Sequence, residues 1–237
     1  MGFRIDDYTL EEGINRAVQL IKSDKVSQIV TINPEMIDYS SKNPEFAQIV
    51  HNAEMVIPDG IGVKIALQLN GYKVQRLPGI DFAYKLLQKC AELSLPVGII
   101  GAKEEVITKA IDNLKEQINN LDIVYYRNGY FNNDTEVYEK IKEKYPRLVL
   151  IAMGSPRQEE FISNAKKYLP PCLMIGIGGS LDVWSGMVKR APKIYQKLGI
   201  EWLYRTITQP ERFKRIFPAL PLFLIKAICY KYKNRSL

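Results

Sequence analysis

The sequence predicts an α/β protein in which helices cover both faces of a mainly parallel sheet, followed by a basic appendage made only of helices. Two observations lead to this prediction. Short apolar runs alternate with amphipathic stretches of helical length along most of the chain, which is the pattern of parallel strands joined by crossover helices. After Arg190 no further strand pattern occurs, and Lys and Arg become frequent. We therefore expect a Rossmann-like α/β domain over residues 1–190 and a helical appendage over residues 191–237.

The individual elements follow from their boundaries. Thr9 and Glu12 have the spacing of a capping box, which predicts a helix that runs to about Ile21. A strand over residues 28–32 comes next, and Pro34 suits the first turn of another helix. Apolar runs then predict strands over residues 55–57, 96–100, 123–126, 148–152 and 172–177. Amphipathic stretches predict helices over residues 63–69, 82–93, 104–119, 136–145 and 158–168.

Four prolines divide the predicted appendage into segments. Pro192 and Pro210 are each placed to open a helix, whereas Pro218 and Pro221 interrupt an apolar run over residues 216–225. That run is about ten residues long, and about 20 are needed to cross a bilayer. An amphipathic segment lying in a membrane interface fits its length better than a membrane-spanning helix.

Charge is distributed unevenly along the chain. The net charge is +7, yet twelve Lys and Arg stand against Glu201 and Glu211 from Lys189 onward. A basic end on a mildly acidic body indicates an anionic partner, either a membrane surface or nucleic acid. Three scattered cysteines and one histidine argue against a disulfide scaffold and against a Cys or His metal site. The polar, acidic start of the chain predicts no signal peptide.

Five loops follow predicted strands and begin at Thr31, Pro58, Gly101, Gly154 and Gly176. The carboxyl ends of parallel strands are where such sheets bind ligands. Glycine lets a ligand approach the backbone, and a following helix presents free N–H groups to phosphate. These loops therefore predict a small ligand that carries a diphosphate.

No single loop motif is specific on its own. The Pro-Asp-Gly sequence at 58–60 is a common turn, so Asp59 is either a turn residue or a positioned carboxylate. The stretch over residues 176–182 lacks the third glycine of a dinucleotide fingerprint, because Leu181 stands there, and this disfavours NAD. The chain has no G-x-S-x-G elbow, no P-loop lysine pattern and no Asp-x-Asp pair. We accordingly expect neither a metal ion nor a cofactor.

Six blocks of the chain, taken in order, resemble the WecG/TagA/CpsF family of bacterial glycosyltransferases. They are Thr31-x-Asn33-x-Glu35, Pro58-Asp59-Gly60-x-Gly62, Arg76-x-x-Gly79-x-Asp81, Gly154-x-Pro156-x-Gln158-Glu159, Gly176-x-Gly178-Gly179-x-x-Asp182, and Lys189-Arg190-Ala191-Pro192 through Leu198-Gly199-Ile200-Glu201-Trp202-Leu203-Tyr204-Arg205. The resemblance implies transfer of a sugar from a UDP donor to a polyprenyl-diphosphate-linked sugar. It also implies a cytoplasmic protein that is peripheral on the inner face of the cell membrane.

Residue roles follow from the resemblance alone. Asp59 matches the family's proposed catalytic base, Thr31 and Gln158 match polar active-site positions, and Arg76 matches a basic one. Gly178, Gly179 and Asp182 match the loop that the family associates with the nucleotide. The strand-end loops add Asn33, Gly101 and Gly154 as expected contacts to the UDP-sugar. Arginines expected to engage the membrane and the acceptor diphosphate are Arg205, Arg212 and Arg215. Trp184 replaces the small residue that usually precedes the Ser185-Gly186 part of the glycine block.

The resulting hypothesis is inverting, metal-independent transfer of N-acetylmannosamine to undecaprenyl-diphospho-N-acetylglucosamine, a step of the wall teichoic acid linkage type. Another donor, carrying N-acetylmannosamine uronic acid or glucose, is an alternative within the family. Two alternatives come from other classes. One is a non-catalytic nucleic-acid- or membrane-binding protein that uses the basic end, although no nucleic-acid module is visible. The other is a UDP-sugar sensor in which Asp59 is only a turn residue. Homo-oligomerisation is left open by the sequence.

Overall fold

The computed structural model of the protein describes residues 4–197, 199–208 and 213–233. Within these ranges the strands are β1 (Ser27–Ile32), β2 (Met55–Pro58), β3 (Val97–Gly101), β4 (Ile123–Arg127), β5 (Leu148–Ala152) and β6 (Leu173–Gly176). The helices up to the end of the sheet region are α1 (Leu10–Ile21), α2 (Pro34–Lys42), α3 (Pro44–His51), α4 (Ile61–Leu69), α5 (Gly79–Glu92), α6 (Glu104–Gln117), α7 (Asp134–Lys144), α8 (Arg157–Ala165) and α9 (Ser180–Trp184). The appendage contributes α10 (Lys193–Lys197), α11 (Glu201–Thr208) and α12 (Phe213–Lys233).

The six strands form one parallel sheet in the order β2-β1-β6-β5-β3-β4. β1 lies between β2 and β6, so Ile29 pairs with both Met55 and Ile175. Every residue of β1, β2, β3, β5 and β6 is buried, whereas the edge strand β4 is only partly covered. Burial on both faces explains why these strands are nearly continuous runs of Ile, Val and Leu.

Side chains alternate between two helical layers. Ile29, Ile57 and Ile99 belong to a core cluster that includes residues of α1, α5, α6 and α9. On the opposite face, Val30 and Val56 pack with α2, α3, α4 and α12, and Val149 packs with α7 and α8. Helices thus cover both faces of a parallel sheet, as the sequence predicts.

The predicted strands and helices of the sheet region all occur, with ends that differ by no more than three residues. The capping box is confirmed: Glu12 N–H donates to Thr9 Oγ1 over 3.2 Å, and Thr9 N–H donates to Glu12 Oε2 over 2.8 Å. Helix α3 was not predicted, because only Asn43 separates it from α2. The expected interruption at Pro218 and Pro221 is wrong, since α12 continues through both positions.

Helix α12 is anchored on the outer layer of the sheet. Phe223 and Ala227, one helical turn apart, are buried in the cluster formed with α2 and α4. The Lys226 ammonium lies 3.0 Å from the Asp38 carboxylate on α2. Leu222 and Ile225 project the other way and are 52% and 56% exposed. Among the residues described, no helix has both the length and the apolar character needed to cross a bilayer.

Candidate active site

A cleft of about 930 Å³ opens at the carboxyl ends of the strands. Loops after β1, β2, β3, β5 and β6 line it, and Glu201 and Trp202 of α11 complete one wall. Four strand spacings separate β2 from β3 in the sheet, so these loops extend over roughly 19 Å. The cleft therefore has the length for an extended ligand and a volume within the usual range of small-molecule sites.

The cleft brings together most of the residues that the sequence singles out. Its lining includes Thr31, Asn33, Asp59, Arg76, Gly154, Gln158, Gly178, Gly179 and Asp182. Gly101 is not part of the lining, where Ala102 and Lys103 stand instead. Gly101 has a φ of 138°, and a Cβ there would collide with the Ala152 carbonyl, so its glycine is explained by packing of β3 against β5.

The side chains of the three appendage arginines lie outside the part of the chain that the structure describes. Arg212 lies outside the described residues. Arg205 lies in α11 and Arg215 in α12, but their side chains are outside the described part of the structure. Their expected contacts with the membrane and the acceptor diphosphate remain predictions.

Asp59 is held in a defined orientation at the end of β2. Its backbone N–H donates to the Ile32 carbonyl over 3.0 Å, which continues the pairing of β2 with β1. Its Oδ1 accepts the N–H of Gly79, the first residue of α5, over 3.0 Å. An N–H at a helix start is a favourable partner for a carboxylate. The Pro-Asp-Gly turn thus presents a fixed carboxylate to the cleft.

Thr31 and Gln158 each hydrogen-bond to the backbone at the carboxyl end of β6. The Thr31 hydroxyl donates to the Gly176 carbonyl over 3.2 Å. Gln158 Oε1 accepts the N–H of Gly178 over 3.1 Å, and Gln158 Nε2 donates to Glu159 Oε1 over 2.7 Å. The two side chains therefore fix the backbone at Gly176 and Gly178, where the glycine loop begins.

A chain of ion pairs joins Arg76 to the appendage. Arg76 Nη2 lies 2.8 Å from Glu201 Oε2 on α11. Arg190 makes two bonds of 2.6 Å to the Asp81 carboxylate and lies 3.6 Å from Glu201 Oε1. Hydrogen bonding to Asp81 raises the pKa of Arg190 above its ordinary value. This chain sets the position of α11 at the rim of the cleft.

Sequence reasoning gave no role to Glu201, Arg190 or Asp81. All three lie in the quoted blocks, but their charges come together from positions up to 120 residues apart. The available signal was the opposite sign of their charges within the quoted blocks. In contrast, Trp184 lies away from the cleft lining: it packs against Tyr84 with ring centroids 6.4 Å apart, and its carbonyl accepts from Asn113.

A buried carboxyl group lies directly beneath the site. Glu159 is 1% exposed, and burial raises its pKa from 4.5 to about 7 despite its hydrogen bond with Gln158. Within the described residues, no group of three or more His, Cys, Asp or Glu side chains is arranged to hold a metal ion.

The raised pKa of Glu159 predicts a pH-dependent stability. Between pH 4.5 and 7 the folded state keeps a proton that the unfolded state releases, so the free energy of unfolding falls as pH rises. Relative to Glu159→Gln, which cannot titrate, the wild-type protein should lose about 2 kcal/mol between pH 5.5 and 8.5. Urea unfolding of both proteins across this range measures the difference. Glu116→Gln, at an exposed position of α6 that does not contribute to the shift at Glu159, should keep the wild-type pH dependence. Equal slopes for Glu159→Gln and wild type would contradict the prediction.

Comparison with known proteins agrees with the motif series. The sequence model described as "Glycosyl transferase WecG/TagA/CpsF family" matches residues 1–237. The chain is 36% identical over 197 residues to an N-acetylglucosaminyldiphosphoundecaprenol N-acetyl-beta-D-mannosaminyltransferase of Bacillus spizizenii, which covers 83% of this chain and 77% of that protein. It is 34% identical over 209 residues to a protein of the same name from Bacillus subtilis strain 168, covering 88% of this chain and 81% of that protein.

Proposed function

Because the chain belongs to the WecG/TagA/CpsF family of glycosyltransferases, we propose that it transfers N-acetylmannosamine from UDP to undecaprenyl-diphospho-N-acetylglucosamine. The observation that carries the proposal is the cleft in which the Asp59 carboxylate faces the same space as the glycine loops. The names of the two Bacillus relatives support the choice of sugar and acceptor.

The proposed reaction is a single displacement with inversion. The acceptor hydroxyl attacks the anomeric carbon of the donor sugar, and Asp59 takes the proton that the hydroxyl loses. The bond between the anomeric carbon and the diphosphate oxygen breaks, and UDP leaves with that electron pair. A positioned base of this kind typically contributes ~10²–10⁴-fold to the rate. The bond from Gly79 N–H supports this role because it fixes the orientation of the carboxylate.

The leaving diphosphate needs positive charge that is in place before the reaction. Lys103 and Arg76 line the cleft, and Gly179 adds a backbone N–H near the end of β6, whereas the N–H of Gly178 is bound to Gln158. Arg76 is already bound to Glu201 and so is held at the rim rather than free to rotate. We propose that these groups allow transfer without a divalent ion.

The sheet order supports an arrangement of the two substrates. The glycine loops after β6, β5 and β3 are neighbours, whereas Asp59 follows β2 at the edge of the sheet. Next to it, Leu77 N–H donates to the Pro58 carbonyl, and Arg76 pairs with Glu201 of α11. We place the donor over the contiguous loops and the acceptor between Asp59 and the appendage. The lipid end of the acceptor then leaves the cleft next to α11 and α12, where Arg205, Arg212 and Arg215 are expected.

Attachment to the inner membrane face is part of the proposal. Leu222 and Ile225 are exposed on one face of α12, and Lys226 and Lys231 follow on the same helix. Apolar side chains that insert at the headgroup boundary, together with cations near an anionic leaflet, are the usual features of interfacial helices. A site on the inner face also matches a UDP-linked donor.

A donor panel tests the proposal directly. The protein is incubated with UDP-linked N-acetylmannosamine, N-acetylmannosamine uronic acid or glucose, and with a short-chain lipid-diphospho-N-acetylglucosamine, with and without EDTA. We expect UDP release and a disaccharide product with the N-acetylmannosamine donor only, undiminished by the chelator.

Each other result changes the proposal in a defined way. Transfer from a different donor would replace the sugar assignment but keep the reaction. Activity lost in EDTA and restored by Mg²⁺ or Mn²⁺ would contradict metal independence. Donor binding without any transfer would favour the sensor alternative, and salt-sensitive binding of duplex DNA in place of donor binding would favour the nucleic-acid alternative.

A further inference from the structure

The Gln158 carboxamide is bonded at both ends. Its Oε1 accepts from Gly178 N–H over 3.1 Å, and its Nε2 donates to Glu159 Oε1 over 2.7 Å. A carboxamide has two N–H donors and two lone pairs, so Gln158 keeps capacity for a ligand in the cleft it lines. These two bonds determine which end of the amide faces the glycine loop and which end faces Glu159.

Gly176, the last residue of β6, makes this arrangement possible. A Cβ at Gly176 would overlap Gln158 Nε2, would lie 2.8 Å from Gln158 Cδ and would lie 3.0 Å from Glu159 Oε1. The absence of a side chain therefore lets both groups pack against the end of the strand. The carbonyl of Gly176 accepts a hydrogen bond from the Thr31 hydroxyl. Gly176 therefore contacts Thr31 through its carbonyl and the Gln158–Glu159 pair at its Cα.

Glu159 has the surroundings of a neutral acid rather than of an ion-pair partner. It is 1% exposed, its Oε2 finds no hydrogen-bond partner among the described residues, and no cation is among the groups that shift its pKa. The charged group that does affect it is Glu160, which opposes its ionisation. Burying a carboxyl group is costly unless it is hydrogen-bonded, and the Glu159 carboxyl group makes its hydrogen bond to Gln158.

We propose that Glu159 is a positioning residue that acts through Gln158 to fix the glycine loop on which the nucleotide-sugar donor binds. Glu159 does not touch the substrate. Its Oε1 holds the Gln158 amide in the orientation in which Oε1 of Gln158 faces Gly178. This inference rests on the proposed function, because the loop is assigned to the donor there.

Removal of the Glu159 acceptor has a definite consequence. The Gln158 amide loses one of its two fixed partners and can rotate. Neither Gly178 N–H nor the ligand then faces a Gln158 amide held in a single orientation. The loss corresponds to about one buried hydrogen bond, and we expect kcat/KM for the donor to fall by roughly 10- to 100-fold. The KM for the acceptor should change little, because the acceptor lies at the Asp59 end of the cleft.

A double-mutant cycle separates this role from a general effect on folding. Glu159→Leu removes the acceptor, Glu159→Gln keeps a neutral oxygen at the same place, and Gln158→Ala removes the side chain through which Glu159 acts. We expect Glu159→Gln to recover most of the activity that Glu159→Leu loses. We also expect the double variant Gln158→Ala/Glu159→Leu to have the kcat/KM of Gln158→Ala alone, because coupled residues are not additive. Glu116→Gln, at an exposed position of α6 outside the cleft lining, is the matched control and should behave as wild type.

Two results would overturn the inference. One is a double variant whose fold-loss in kcat/KM equals the product of the losses in the two single variants. The other is a Glu159→Gln variant as impaired as Glu159→Leu. Thermal melts accompany each assay, and Glu159→Asp replaces Glu159→Leu if the leucine variant does not fold, because it withdraws the acceptor by one methylene group. Absence of transfer by the wild-type protein would count against the proposed function instead. In that case the same cycle, measured as affinity for UDP, still decides whether Glu159 acts through Gln158.

Discussion

Replacing Asp59 by Asn should lower sugar transfer by ~10²–10⁴-fold while leaving the fold and the affinity for UDP intact. Asn keeps an Oδ1 atom that can accept the Gly79 N–H, so the turn after β2 retains its anchor. It cannot take a proton from the acceptor hydroxyl, so only the chemical step is affected. UDP release under saturating donor and acceptor measures kcat, and calorimetric titration with UDP measures binding.

Asp122→Asn is a suitable control for the loss of one carboxylate. Asp122 precedes β4, and its carbonyl accepts from Val97 at the start of β3, at the end of the sheet opposite the cleft. It should retain wild-type kcat. Near-normal transfer by Asp59→Asn would remove Asp59 from the role of base, and a matching loss of UDP affinity would assign Asp59 to binding instead.

The fold could be predicted from the sequence because the features that determine it are local. Each buried strand is a short apolar run, and each covering helix has an amphipathic pattern with readable ends, such as the capping box at Thr9 and Glu12. The position of the cleft follows from a general property of parallel sheets. The resemblance added which of the residues at the strand ends, Asp59 above all, are expected to carry the chemistry.

Contacts between distant elements could not be predicted in the same way. Glu159 and Gly176 lie on a helix and a strand whose close approach depends on packing, and nothing in Gln158-Glu159 as a dipeptide indicates that its carboxyl group is buried. The pairing of Arg76 with Glu201 joins residues 125 positions apart. The continuation of α12 through Pro218 and Pro221 contradicts the local preference of proline, and the burial of Phe223 and Ala227 against α2 and α4 is a tertiary interaction that favours it.

The structure also changes how the appendage is best tested. Deletion from about Ile194 would remove Phe223 and Ala227 from the core cluster they share with α2 and α4, and would leave Arg76 without Glu201. A loss of activity after such a truncation could then reflect the disrupted core, the loss of Glu201 beside Arg76 or the loss of membrane attachment, and the experiment would not separate them. Substitutions on the exposed face of α12 avoid this difficulty.

The double substitution Leu222→Glu/Ile225→Glu should lower binding to anionic vesicles by at least ~100-fold. Each apolar side chain contributes about 1.5–3 kcal/mol when fully buried, and each added carboxylate is repelled by an anionic leaflet by roughly 1 kcal/mol. Both positions are more than half exposed and three residues apart, so one helix face presents them and the packing of Phe223 is not disturbed. Sedimentation with phosphatidylglycerol-containing vesicles measures the effect.

The same variant distinguishes membrane attachment from catalysis. Transfer to a long-chain acceptor embedded in vesicles should fall with binding, whereas transfer to a water-soluble short-chain acceptor should remain, because Asp59, Gln158 and the glycine loops are untouched. Tyr145→Glu places a carboxylate at a residue that is also 50% exposed but follows α7, near the start of β5, and it should sediment as wild type does. Unchanged sedimentation of the α12 variant would show that this face does not meet the lipid, and the exposed leucine and isoleucine would then need a different partner.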